Sequence, residues 1–560
     1  MTQPINKTRR ALLRAASCTA AAAGAQAFIP QMNLLGHALA QSGGLPGYKA
    51  IVCLYLSGGN DSFNLLIPTT AARHEEYITA RGGIYTGTPT SLAIPRVGGA
   101  TPVGSLAPAL NVDGTSPAGY TYGFNPSCSD LRDLYNMGRL AVMANVGPLV
   151  EPITKSTFGN RARPPQIYSH NDQTELWNIG SGNSTATRTG WAGQLAGRLG
   201  AGSQLSGLSP CISIAGQTRL LVGVDNLNRP INAFRMSSSS TTPASTLNNY
   251  GQFNTATGSF SFNAANFEQQ RRDTYEALVA DAMSAQGLFR QENAQIIDRS
   301  LDLANTINQQ ISQNGAIPAG ITFPNTDIGN QLAQVFRMIR VSRPGGSINA
   351  NRQVYYASTG GYDTHDGQIP NVQLNQGHQG LLQRVSQAVM AFYRALAAIG
   401  AHNEVLLFTF SEFGRTINSN GNGTDHGWGG VQFVVGGGQG NVSTGTVSIA
   451  GDTGGGPLIA RNRVTASGTG IYGRYPRVVL NASDNAGIPE AEKGECFNRG
   501  QFLPTMATDQ MCASMARWMG LDAANLPLVF PNIDNFQRFA GTPGNLMAYT
   551  GRTVPFLQGI

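Results

Sequence analysis

The sequence predicts an α/β fold, a doubly wound and mostly parallel sheet flanked by helices, and three observations lead there. Four segments are almost continuously apolar and end in glycine or polar residues, as strands buried on both faces do. A stretch with helical spacing lies between the last two of them. Acidic and histidine residues then recur just past the carboxyl ends of the apolar runs, where ligands collect in open α/β sheets.

The first run is Ala50–Leu56 in "KAIVCLYLSGGNDSFNLLIP", which closes on Ser57-Gly58-Gly59-Asn60-Asp61. "RLAVMANVGPL" from Arg139 is the second, "RQVYYASTGGYDTH" from Arg352 the third and "NEVLLFTFSEFGRT" from Asn403 the fourth. Between the last two, Leu381, Leu382, Val385, Ala388, Val389, Phe392 and Leu396 share one helix face, and Gly400 ends the pattern. Strand, helix, strand is the repeating unit of a doubly wound core.

Two regions read as insertions into a single domain spanning 41–560. Residues of about 190–345 open with the short strand-like "LSPCISIAG" and "RLLVGV" and continue through a polar loop, "MSSSSTTPASTLNNYGQFNTATGSFSFNAAN". A long helical stretch follows from Phe267, as two helices or as one broken at Gly287. Around 442–477, β-formers alternate with Gly and Thr, which predicts one or two hairpins.

Charged residues make up only 12% of the chain, with 41% hydrophobic residues, 69 glycines and 29 prolines, so a folded protein with much uncharged loop surface is expected. The formal charge is +7, but Lys7, Arg9, Arg10 and Arg14 fall in the first forty residues, which hold no acid. The remaining excess is scattered, without the basic runs and interleaved aromatics of a nucleic-acid surface. Nucleic-acid binding is therefore not expected.

Residues 1–40 read as a twin-arginine export signal: Thr8-Arg9-Arg10-Ala11-Leu12-Leu13-Arg14, then an alanine-rich and weakly apolar stretch. Ala38-Leu39-Ala40 supplies small residues for cleavage before Gln41, with Ala25-Gln26-Ala27 as the alternative. Cys18 is not expected to be lipidated, because Ala15 stands where a larger aliphatic residue is usual. No later stretch of about twenty apolar residues offers a membrane span. The expected product is periplasmic or secreted and soluble, with the twin-arginine translocase as its partner in export. Five cysteines follow the signal, and Cys496 with Cys512 is the pair to test for a disulfide.

"YDTHDG" (362–367) and "GTDHGWGG" (423–430) concentrate acid and imidazole in a chain with only seven histidines. Asp, Glu and His carry a divalent cation at neutral pH without a thiol to deprotonate, and adjacent glycines let the backbone aim them inward. Asp363 and His365, two apart in an extended segment, point to one side. Asp61, Glu412, Asp425 and His426 complete the expected metal set, although Asp61 and its neighbour Ser62 also suit a helix start. The ion's identity is open among Zn, Mn, Ca and Mg.

In order along the chain, "SGGNDSFN", "SHNDQTELWN", "GGYDTHDGQ", "SEFGRT", "TDHGWGG" and "MARWMGLDAANLPLVFPNI" resemble the exported bacterial family known as domain of unknown function 1501. The resemblance covers about residues 49–535 and is weakest over the large insertion. It implies kinship with the alkaline phosphatase and sulfatase superfamily, whose α/β core binds one or two divalent metals and hydrolyses phosphate or sulfate esters. On that resemblance Asp61 is the metal-binding Asp after the first strand, Asp363 and His365 are later ligands, Glu412 is the following strand-end carboxylate and His426 the last ligand. His170 lies in a family motif with no assigned role and is carried as a catalytic candidate. The superfamily places His or Asn after its strand-end carboxylate, where this chain has Phe413, and it needs a hydroxyl or modified Cys nucleophile. Ser62, Ser169 and Thr174 are the hydroxyls at hand, and Arg415 could hold an oxyanion by two parallel hydrogen bonds or form a salt bridge. Two functions follow as expectations: a metal-dependent hydrolase of a small phosphate or sulfate ester, or a catalytically inactive secreted protein that binds a partner on the same scaffold.

Overall fold

The computed structural model describes residues 45–560 except 87–89, 97–106, 109–121, 184–186, 206, 241–242, 245–250, 255, 285–286, 370–375, 439–447, 460–469, 479, 481–494 and 539–548. Residues 1–40, expected from the sequence to be an export signal, lie outside the described residues, as do 442–447 and 460–469 of the expected hairpin region. Leu45–Ile560 forms one compact unit.

Nine strands make the central sheet: β1 (Lys49–Leu56), β2 (Leu140–Gly147), β3 (Cys211–Ser213), β4 (Phe234–Arg235), β5 (Arg352–Thr359), β6 (Val405–Phe410), β7 (Gly430–Val435), β8 (Ile471–Tyr472) and β9 (Met506–Ala507). They lie in the order β8-β2-β7-β6-β1-β5-β3-β4, with β9 also on β2. β1 is central and pairs in parallel with β5 (Ile51 opposite Val354) and with β6 (Ile51 opposite Leu406). All four apolar runs are strands of this sheet, as the sequence predicts.

β7 is antiparallel to both its neighbours, β6 and β2, while the other pairings are parallel. This strand is not among the runs expected from the sequence. Its reversal matters because it starts where β6 ends, so the loop joining them stays at the carboxyl-end face of the sheet.

Alternate residues of β1 feed two cores. Ala50, Val52, Leu54 and Leu56 join one, Ile51, Cys53 and Tyr55 the other. Helices α2 (Ser129–Asn136), α7 (Asp327–Ser342) and α8 (Gly377–Ala398) cover the first face. α3 (His170–Ile179), α4 (Trp191–Arg198) and α9 (Thr508–Met519) cover the second. α1 (Ala71–Ala80) also packs on the first face through Tyr77. α8 follows the apolar spacing read from the sequence, and Gly400 beyond its end takes the left-handed φ of +67°.

The segment 190–345 is not wholly set apart from this core. β3 and β4 extend the sheet through β5, and α7 packs on α8. α5 (Glu268–Ser284) and α6 (Leu288–Asn314) are the two helices expected from the pattern, with Gly287 capping the second. Within the polar loop, Gln252–Asn254 pairs with Ser259–Ser261 as a small hairpin. From 442–477 the described part contributes β8 beside β2. Cys496 and Cys512 are buried and free, as are the other described cysteines.

α9 carries a buried carboxyl. Asp509 is wholly enclosed; its Oδ1 accepts from Thr508 Oγ1 at 3.1 Å and its Oδ2 has no partner. Burial pushes its pKa up to about 7. The folded chain therefore keeps a proton that the unfolded chain releases above the ordinary carboxyl range of about 4. Its contribution to stability is full below about pH 4 and is lost as pH rises to about 7, at about 1.4 kcal/mol for each pH unit crossed. Asp509→Asn is expected to flatten this slope, raising the unfolding free energy over the parent at pH 8 but not at pH 4. Urea melts at the two pH values check it.

Candidate metal centre

Each strand end at the carboxyl face delivers one part of a cluster. Beyond β5 the chain turns through Gly360 and Gly361 to Asp363 and His365. Beyond β6 come Ser411, Glu412 and Phe413, and the return to β7 brings Asp425 and His426 to the same face. His170 opens α3, whose Ser169 cap accepts from the Asp172 amide.

Three of the seven histidines meet Asp363 here. Ligating atoms of His170, Asp363 and His426 all lie within 4.8 Å of one another. His365 Nε2 lies 3.2 Å from Asp363 Oδ1 and 2.9 Å from His426 Nε2. His426 Nε2 is 3.4 Å from Asp363 Oδ1, and His170 Nε2 is 3.5 Å from Oδ2.

The outward nitrogens fix the tautomers. His426 Nδ1 lies 2.8 Å from the Tyr168 carbonyl, which can only accept, so Nδ1 carries the proton. His365 Nδ1 faces Asp425 Oδ1 at 3.1 Å, and His170 Nδ1 faces Glu412 Oε1 at 2.7 Å. In the neutral rings all three Nε2 lone pairs therefore point inward, and those of His365 and His426 confront each other at 2.9 Å. His170 Nε2 is buried without a hydrogen-bond partner. Facing lone pairs repel unless a proton or a metal ion is held between them, and the donor set of three imidazoles and a carboxylate fits a metal ion. Carboxylates or carbonyls that accept from the far nitrogen of each imidazole are the usual second layer of such sites.

The electrostatics agree. The Glu412 hydrogen bond raises the His170 pKa against burial, with Glu412 and Asp363 charge assisting. Burial lowers that of His426, and Arg415, His170 and His365 lower it further. Desolvation would raise the Asp363 carboxyl, but Arg415, His170 and His365 hold it below the usual range. The Asn420 hydrogen bond, with His365, lowers Asp425.

Four of the residues expected in the site are engaged by partners within the fold. Asp61 is fully buried, accepting from Arg81 Nη2 at 2.7 Å and Gln368 Nε2 at 2.6 Å, and its side chain caps nothing. Arg81 follows α1, and no sequence period links it to Asp61. Ser62 is 1% exposed and accepts from the Val431 amide at 2.7 Å, so it is no nucleophile. Arg415 is buried and spends its donors inside the fold, on the carbonyls of Gly59 (2.9 Å), Gly58 (2.9 Å), Tyr362 (3.2 Å) and Thr424 (3.0 Å) and on Asp363. Both Nε and Nη2 are thereby committed inside the fold, and Nη1 gives one bond to Thr424. Glu412 orients His170: its Oε1 accepts from the Gly58 amide and faces His170 Nδ1, while the Ser411 hydroxyl lies 3.1 Å from Oε2 and 2.7 Å from the Leu56 carbonyl.

His170, carried as a catalytic candidate without a role, becomes a ligand candidate, while Asp425 holds His365. Phe413 packs at a tilt against His170 and His426, with ring centroids 4.8 and 4.6 Å away. The Tyr168 carbonyl was missed, since a backbone acceptor carries no residue signature. A cleft of about 500 Å³ opens beside the cluster, lined by His170, Asp363, Glu412, Tyr55, Thr174 and Glu175 among others.

Fold and site define the class: an α/β protein with a histidine–aspartate centre at the carboxyl ends of a mostly parallel sheet. Residues 48–454 match the family model described as protein of unknown function (DUF1501), and the chain belongs to that family. No curated protein matches it.

Proposed function

We propose that the chain is an exported metal-dependent hydrolase of phosphate or sulfate esters on an alkaline phosphatase-like scaffold. The observation that carries this reading is the convergence of three imidazole Nε2 atoms and the Asp363 carboxylate, with two Nε2 atoms 2.9 Å apart. Imidazole-rich sets suit Zn2+ better than Ca2+ or Mg2+, which prefer oxygen. When bound, the ion supplies Lewis acidity, polarising the ester and lowering the pKa of a water.

The chain's own residues do the rest. Glu412, Asp425 and the Tyr168 carbonyl keep the Nδ1 protons in place so that Nε2 stays a ligand. Ser57, Asn171 and Thr174 offer hydrogen bonds to an ester in the cleft. Glu175 also lines the cleft, its carboxylate paired with Arg219 Nη1 at 2.9 Å; burial raises its pKa and the Arg219 charge opposes the rise. No Lys or Arg stands among the described lining residues, which favours monoanionic sulfate esters and phosphodiesters over dianionic monoesters. Residues 1–40, as a twin-arginine signal, support export of the folded and loaded protein.

Elemental analysis of the purified chain should find stoichiometric metal. Aryl sulfates or aryl phosphodiesters should then be cleaved in a reaction that a chelator stops and Zn2+ restores. A chain without metal, showing no metal-dependent rise in Tm, rules the hydrolase out. The second reading, a binding protein without turnover, is favoured by the burial of Ser62 and the internal commitment of Arg415. Stoichiometric metal with every ester untouched would select it.

A further inference from the structure

Asp61, Asp363 and Glu412 follow the carboxyl ends of β1, β5 and β6, and all three carboxylates act on the Arg415 charge; carboxylates brought together in this way are what a pair of metal ions needs. The structure puts guanidinium groups among them. Both oxygens of Asp61 are taken, Oδ1 by Arg81 at 2.7 Å and Oδ2 by Gln368 at 2.6 Å. Glu412 has Oε1 engaged by Gly58 and His170, and the Ser411 hydroxyl lies 3.1 Å from Oε2. Asp363 shares Oδ1 with Arg415, whose remaining donors end on four backbone carbonyls. Both oxygens of Asp61 and Oε1 of Glu412 thus already accept hydrogen bonds, and Arg415 sets a fixed positive charge that all three carboxylates feel.

Resting on the metal reading above, we propose that the centre holds a single metal ion, with Arg415 standing permanently where a second cation would be required. A guanidinium held by four carbonyls and a carboxylate cannot leave, and its charge repels any further dication in an interior of low dielectric. Arg81 does the same for Asp61. The consequence is a division of labour: Asp61 is structural, and Asp363 faces the fixed cation with one oxygen and His170 with the other.

The test is a metal count on the full chain, loaded with Zn2+ and separately with Mn2+, then freed of excess by gel filtration. One equivalent per chain is expected, and two overturns the inference while leaving the metal reading intact. No bound metal removes the centre and this inference with it, which is a distinct result. Asp61→Asn should keep one equivalent of Zn2+, and loss of metal from a variant with native circular dichroism overturns the proposal. Should that variant not fold, electron paramagnetic resonance of the Mn2+-loaded parent decides. An uncoupled single-ion signal supports the inference, and an exchange-coupled pair defeats it.

Discussion

Replacing Asp363 with Ala is expected to empty the centre, leaving less than about a tenth of the parent's metal and lowering any hydrolysis by at least about 100-fold. Among the described residues, Asp363 is the one carboxylate within 3.5 Å of all three Nε2 atoms, and it supplies the negative charge that makes the set attractive to a dication. Without it, three neutral imidazoles remain beside the buried Arg415 charge, which opposes a cation. The loss should also appear as stability. A ligand at about 1,000 times its Kd adds about 4 kcal/mol to the folded state, so the Zn2+-dependent rise in Tm of the parent should vanish. Asp363→Asn separates charge from shape, because its amide oxygen can still accept from Arg415. It should melt near the metal-free parent and still bind little metal. Unchanged metal content in either variant would remove Asp363 from the centre.

The sheet was legible because burial on both faces makes its longer strands predominantly apolar. Ala50–Leu56, Leu140–Gly147 and Val405–Phe410 read as apolar runs for that reason. β7 was hidden: six residues flanked by glycines, containing Gln432, with its direction set by the return loop. The histidines and Asp363 were legible by their scarcity and their glycine neighbours. The roles of Asp61 and Arg415 were not, because residue type fixes only what a side chain can bond. Arg81 lies twenty residues from Asp61, across a helix, and no periodicity pairs them. Gly58 and Gly59, at φ of +122° and +77°, are adjacent glycines whose carbonyls both accept from Arg415. From the sequence alone, those glycines were equally compatible with a loop open to a ligand.

Arg415→Met is expected to be the most destabilising single change around the site, at about 5 kcal/mol, and to abolish metal binding with it. Arg415 is the joint of three loops: Gly58–Gly59 after β1, Tyr362–Asp363 after β5, and Thr424 before β7. Methionine fills much of the volume but donates nothing, and a buried acceptor left unsatisfied costs about 1–3 kcal/mol. Four carbonyls are exposed to that penalty, some of which local shifts will relieve. Arg415→Lys discriminates between the two roles the residue could have. A lysine keeps the charge but loses the planar fork, so it cannot reach carbonyls on three loops at once. If the arginine held a substrate oxyanion, the lysine variant would fold normally, keep its metal and lose turnover alone. As an internal joint it should instead lose several kcal/mol in urea melts, and lose metal in proportion as Asp363 and His426 drift apart. Native stability and native metal content in Arg415→Lys would return Arg415 to the ligand-binding role its sequence context first gave it.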